Sequence, residues 1–156
     1  VYNSITKIIL FLMAGNIHYH FKSREVDKVR NVLNFLPKTG WLFLLAYLAI
    51  SGIPPFGIFF SEIKIIEGIL FSDKPFLLVV VMFFLLFIFV NMGKIIFTML
   101  YKKSENENRD SQIEQLELTH FIAIALFILL TVISVVSPDI LYQNIVNITI
   151  DFGIKL

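Results

Sequence analysis

The sequence predicts an all-α, polytopic membrane helix bundle with one discontinuous helix and a short amphipathic surface helix. Three observations predict it. Of 156 residues, 57% are hydrophobic and only 16% are charged, where soluble domains carry about a quarter. Strongly apolar stretches recur at about 3–18, 39–71, 75–101 and 118–136. The second of these is interrupted by Gly52-Ile53-Pro54-Pro55-Phe56-Gly57, and Glu62 and Lys64 follow at once in apolar surroundings. Helix breaks and intramembrane charges are both costly in lipid, so their coincidence points to an ion or proton pathway.

The bulk numbers exclude several classes. A net charge of +1 implies no nucleic-acid or acidic partner. The absence of cysteine removes disulfides, thiolate metal sites, iron–sulfur ligation and thiol nucleophiles. No Walker loop, dinucleotide fingerprint, zinc motif or nucleophile triad is present, so no catalytic residue, metal or cofactor is assigned. No signal-peptide pattern is seen. Val1 begins inside an apolar periodic run, so residues 1–156 are expected to be the C-terminal part of a longer chain.

Residues 3–18 read as the first helix. With the membrane edge near His18, Lys7 lies about 16 Å in, roughly at mid-bilayer and beyond easy snorkelling. Residues 21–38 alternate five cations with Glu25 and Asp27, while Val26, Val29, Leu33 and Leu36 recur at three- and four-residue spacing. They are expected to form the amphipathic helix on the membrane surface, ended by Pro37. Residues 39–71 would measure about 50 Å as one straight helix, against a hydrocarbon core of about 30 Å. The breaking residues Gly52, Pro54, Pro55 and Gly57 divide them into 39–52 and 57–71. Residues 75–101 form an uninterrupted span ending at Lys102 and Lys103. Counting 39–71 as one broken crossing puts both basic loops, 21–38 and 102–116, on the cytoplasmic side; two crossings would separate them. The last span, 118–136, is expected to stop at Pro138 and Asp139, leaving a short tail outside.

The first half of the chain resembles the antiporter-like membrane subunits of respiratory complex I, of Mrp-type cation/proton antiporters and of group 4 membrane-bound hydrogenases, and most of all hydrogenase-4 component F. The residues that carry the resemblance are Ser4-Ile5-Thr6-Lys7, Ala14-Gly15-Asn16-Ile17, Arg24-Glu25-Val26-Asp27-Lys28, Pro37 with Thr39-Gly40, and Gly52-Ile53-Pro54-Pro55-Phe56-Gly57 running into Ser61-Glu62. It covers about residues 2–70. It implies a proton-translocating, non-redox subunit in the cell (inner) membrane. Its partners would be other membrane subunits, a peripheral redox arm and the lipid bilayer. It also implies that Lys7 is a central proton carrier and Glu62, on the second half of a discontinuous helix, the terminal one. Asn3 stands where the family has a histidine, and an amide cannot take up a proton near neutral pH. Two alternatives stand beside the proton pump: a subunit of a multi-subunit Na⁺(K⁺)/H⁺ antiporter, and a structural or assembly subunit that conducts nothing.

Each candidate has a plain alternative. Lys7 is a carrier or an amine paired within a bundle. Glu62 is a carrier or a carboxylate accepting backbone N–H groups freed by the break. Lys64 lies about 200° around the helix from Glu62 and suits a pair with Glu67 three residues on. Asn91, Lys94 and Thr98 share a helix face that lines a hydrated path or simply snorkels. His18 and His20 point apart on a helix, which argues against a shared metal and leaves proton entry or an interfacial position. His120 stands alone near an interface and reads as structural.

Overall fold

The computed structural model describes residues 1–23, 25–26, 28–71, 75–102, 114 and 118–151, with backbone alone for 135–151. Among these residues there are helices and no strand: α1 (Tyr2–Phe21), α2 (Val32–Phe35), α3 (Pro37–Ile50), α4 (Gly57–Leu70), α5 (Pro75–Tyr101) and α6 (Leu118–Asp151).

The core lies between α1 and α3. Thr6, Ile9, Met13 and Ile17 are buried on α1 at three- and four-residue spacing, which stacks them on one face. From α3, Thr39, Gly40, Phe43, Leu44, Ala46 and Tyr47 turn inward. Gly40 permits the close approach of α2, because a Cβ there would press on the Leu33 side chain. Tyr47 ties α3 to α5: its hydroxyl donates to the Phe89 carbonyl at 2.8 Å. Its ring stacks on Phe89 at 5.7 Å and meets Phe97 edge-on at 6.4 Å.

α5 is the one described helix long and apolar enough to cross a membrane, by length and composition. Its buried residues are Gly93, Ile96 and Leu100, a single stripe near its end. Phe76, Val79, Phe83, Leu86 and Phe87 are exposed. An apolar helix of this kind, bare on most sides, suits hydrocarbon or further helices rather than water.

Two expectations are corrected. The amphipathic surface helix over 21–38 does not form. α1 runs on to Phe21, Lys22 and Asn31 take left-handed φ of 50° and 57°, and α2 is a single turn. The apolar spacing is real but serves burial: Val29, Val32, Phe35 and Leu36 are all in the core, and Phe35 meets Phe21 edge-on at 6.1 Å. Arg24 and Asp27 of this stretch lie outside the described residues. Pro37 follows the C-cap of α2 and also opens α3 as its first residue, where its missing N–H costs nothing and its fixed φ fits. Likewise α6 does not stop at Pro138 and Asp139; it continues to Asp151. Prolines are tolerated inside apolar helices where neighbouring groups satisfy the freed carbonyl.

Candidate functional site: the helix break and its carboxylate

α3 ends at Ile50 and α4 begins at Gly57. Between them Ser51 N–H donates to the Tyr47 carbonyl at 3.0 Å and Ile53 N–H to the Leu48 carbonyl at 3.2 Å, which closes α3. Gly52 adopts φ +70°, the left-handed region that favours glycine. Pro54 and Pro55, joined by a cis peptide bond, have no N–H to give, so the ladder cannot continue.

Glu62 lies in the second turn of α4, and its side chain folds back over Gly52. Both carboxylate oxygens and the carboxyl carbon occupy the space that a Cβ on residue 52 would take. The missing side chain of Gly52 therefore does two things. It allows the turn, and it leaves a seat for the carboxylate at the seam between the two half-helices.

Two neighbouring helices hold the seam. From α6, Ser134, only 1% exposed, donates its hydroxyl to the Pro55 carbonyl at 2.8 Å. From α1, the Tyr2 ring lies where a Cβ on Gly57 would fall, and its hydroxyl donates to the Ile133 carbonyl at 2.9 Å. The first turn of α1, the first turn of α4 and the middle of α6 thus meet at the break.

The other sequence candidates do not gather there. Lys7 is exposed on α1, on a face it shares with Ala14 and His18, and makes no ion pair with Glu62. Lys64 is exposed and pairs with Glu67 at 2.7 Å. Asn91 donates to the Phe87 carbonyl and Thr98 to the Lys94 carbonyl, each at 2.7 Å, so both amide and hydroxyl are engaged within α5. Lys94 borders a cleft of about 570 Å³ with Tyr47, Phe97 and Lys102. His18 lies 3.1 Å from the Ser23 carbonyl through Nδ1, and His20 packs against Phe21 and Phe35. Thr6 and Ser61 bond to carbonyls of their own helices, those of Tyr2 and Gly57.

His120, in contrast, has partners that its sequence neighbours do not suggest. Its Nε2 lies 2.9 Å from Thr39 Oγ1 and 3.1 Å from Glu114 Oε1. Glu114 also caps α3, accepting from Lys38 N–H at 2.6 Å, Thr39 N–H at 3.0 Å and the Thr39 hydroxyl at 2.5 Å. The His120 and Glu114 side chains are only 2% and 4% exposed. Burial alone would raise the Glu114 carboxyl. The donors from Thr39, Lys38 and His120 outweigh it and hold the group below its ordinary value of 4.5. A carboxylate lowered in this way stabilises the fold above pH 4.5, and that stabilisation is lost as pH falls through the lowered value. Acid titration of unfolding should therefore show a loss of about 1.5–3 kcal/mol on the acid side of pH 4.5. In Glu114→Gln, already weakened at neutral pH, this loss should be absent.

The segment from α1 through the break and the first half of α5 is also where the chain is related to known proteins. Residues 2–88 match the family described as NADH:quinone oxidoreductase/Mrp antiporter, transmembrane. The chain belongs to this family. Among curated members, it is 28% identical over 68 residues to an Na(+)/H(+) antiporter subunit of Bacillus subtilis, covering 44% of this chain and 14% of that one. It is 29% identical over 75 residues to the hydrogenase-4 component F homolog of Methylacidiphilum infernorum, covering 48% and 16%. An uncharacterised protein of Methanocaldococcus jannaschii matches over 153 residues at 27% identity, covering 97% of this chain and 31% of that one. The chain thus spans less than a third of the length of these relatives. No solved structure matches it. The chain is an antiporter-like membrane protein, and its family segment contains Lys7, the break and Glu62. Glu114, His120 and Ser134 lie beyond that segment.

Proposed function

We propose that the chain moves protons across a membrane, as the C-terminal part of a non-redox subunit in a hydrogenase-type or NADH:quinone oxidoreductase-type complex. The observation that carries this reading is the Glu62 carboxylate seated on Gly52 at the break between α3 and α4. A carrier needs a titratable group where backbone polar groups are freed from the helix ladder, and the break provides one. Family membership supplies the context. In this reading α3 and α4 are one broken crossing, α1, α5 and α6 complete about four crossings, and both basic loops face the cytoplasm. Glu62 accepts and releases the proton at the end of the path. Lys7 relays to it along the membrane axis. Its side of α1 is exposed, open to partners outside residues 1–156. The redox chemistry belongs to a peripheral arm of other subunits.

The experiment is proton pumping by the complete complex in sealed vesicles, with Glu62→Gln and Lys7→Ala. Each substitution should lower pumping at least tenfold while assembly of the complex persists. If both variants assemble and pump normally, the carriers lie elsewhere. The likeness to an Na(+)/H(+) antiporter subunit favours a second reading, cation/proton antiport. In that case sodium or potassium would be required for proton movement in the same vesicles, and Glu62 would still be needed.

A further inference from the structure

The cleft between α3 and α5 lies apart from the helix break and joins two unlike walls. Its inner wall is aromatic. Tyr47 of α3 lies against Phe89 and Phe97 of α5, and Gly93 lets it approach, since a Cβ there would fall 2.7 Å from the Tyr47 hydroxyl. Its outer end is basic, bordered by Lys94 and Lys102, both exposed. No acidic residue lines it, and among the described residues neither lysine pairs with a carboxylate. We propose that this cleft holds an anionic phospholipid, its phosphate between Lys94 and Lys102 and an acyl chain along Phe89 and Phe97.

The length of α5 places the two amines. Its 27 residues measure about 40 Å, against a hydrocarbon core of about 30 Å. Centred in that core, the helix extends about 5 Å beyond it at each end. Lys94 is about 10 Å before the end at Tyr101, hence about 5 Å inside the boundary, within reach of it along its own stem. Lys102 stands outside the boundary, and its N–H still bonds to the Thr98 carbonyl at 3.1 Å, so it continues the last turn. A phosphate at the boundary falls between the two.

The hydrogen bonds leave the amines to meet it. The Tyr47 and Thr98 hydroxyls give their hydrogens to the carbonyls of Phe89 and Lys94. Polarity also runs along the cleft, from Phe89, Val90 and Gly93 at depth to Thr98, Tyr101 and Lys102 at the surface. That is the order of a phospholipid, chain inward and phosphate outward. A helix of a neighbouring subunit would have to carry a carboxylate into the apolar layer to match Lys94, which is costly. A lipid carries its charge at the boundary. Snorkelling alone accounts for Lys94 but not for the aromatic groove beside it. The site needs only that α5 lie in a bilayer; it needs no transport, so its failure and that of the Glu62 pathway are separate results.

The test is photocrosslinking of the complete complex in phosphatidylcholine vesicles. A trace of phosphatidylglycerol or of phosphatidylcholine carries a diazirine on its acyl chain, and labelled residues are read by mass spectrometry. Phosphatidylglycerol should label Phe89, Val90 and Phe97 about tenfold or more above phosphatidylcholine, since each lysine near the surface favours an anionic lipid about fivefold. Ile88 and Ile95, exposed on the other side of α5, should be labelled alike by both. Lys94→Gln and Lys102→Gln should each lower the excess about fivefold, and Lys94→Arg should retain it. The proposal is overturned if the excess is as large at Ile88 and Ile95, because charge then draws lipid to the whole helix without a site. It is overturned if neither lipid labels the cleft, which a protein segment then fills. It is also overturned if millimolar inorganic phosphate removes the excess, because the cleft then takes free phosphate. Should the lysine variants fail to assemble, the two lipids compared on the unsubstituted complex decide the matter.

Discussion

Gly52→Ala is expected to be the most damaging single change in the break, harming stability and transport together. Two costs add at this position. The left-handed conformation at φ +70° costs an L-residue about 1–2 kcal/mol. The new methyl would then fall on the Glu62 carboxylate, and relieving such overpacking costs about 1–3 kcal/mol more. The carboxylate has only its own side-chain torsions with which to move, so the relief comes from leaving its seat. On the proposed carrier role of Glu62, Gly52→Ala should therefore abolish pumping about as completely as Glu62→Gln, with Glu62 intact. Melting in detergent and pumping in vesicles check the two halves. A variant that melts early but pumps normally would show that the seat of the carboxylate is irrelevant to transport.

Gly57→Ala is the second. A Cβ there enters the Tyr2 ring, which cannot retreat freely because its hydroxyl is bonded to the Ile133 carbonyl on α6. The expected loss is about 1–3 kcal/mol, in the range for overpacking. Tyr2→Ala alone should lose its hydrogen bond and ring packing. The double substitution should be less damaging than the sum of the two, because removing the ring removes the overlap. A coupling of about 1 kcal/mol or more is the expected result for groups in contact. Strict additivity would mean that α1 and α4 do not meet at this point.

The break itself was legible because its residues act locally. Pro54 and Pro55 lack the donors a helix needs wherever they stand, and Gly52 and Gly57 are small wherever they stand. α5 was legible for a similar reason, as an apolar run with nothing to interrupt it. Residues 21–38 misled because periodic apolar residues satisfy two different structures. Val29 and Leu36 are buried as the spacing requires, but on an irregular chain that folds inward at Lys22 and Asn31. No local pattern distinguishes that from a helix lying on a surface. Pro138 misled in the opposite direction, since a helix stop in water is only a local irregularity in an apolar helix. His120 looks solitary in the sequence because its partners are tertiary. Thr39 is at the start of another helix, and Glu114 sits in a polar stretch where one carboxylate looks like any other. Ser134 and Tyr2 are silent in the sequence for the same reason: each bonds to a carbonyl on an element far away in the chain, and a backbone carbonyl leaves no trace in the sequence.

The length of α3 has an electrical meaning. Its 14 residues rise about 21 Å, about two-thirds of a hydrocarbon core about 30 Å thick. If α3 stands along the membrane normal, a charge carried from one end to the other crosses about two-thirds of the membrane voltage. At 100 mV that is about 1.5 kcal/mol per proton, taken from about 2.3 kcal/mol for the full crossing.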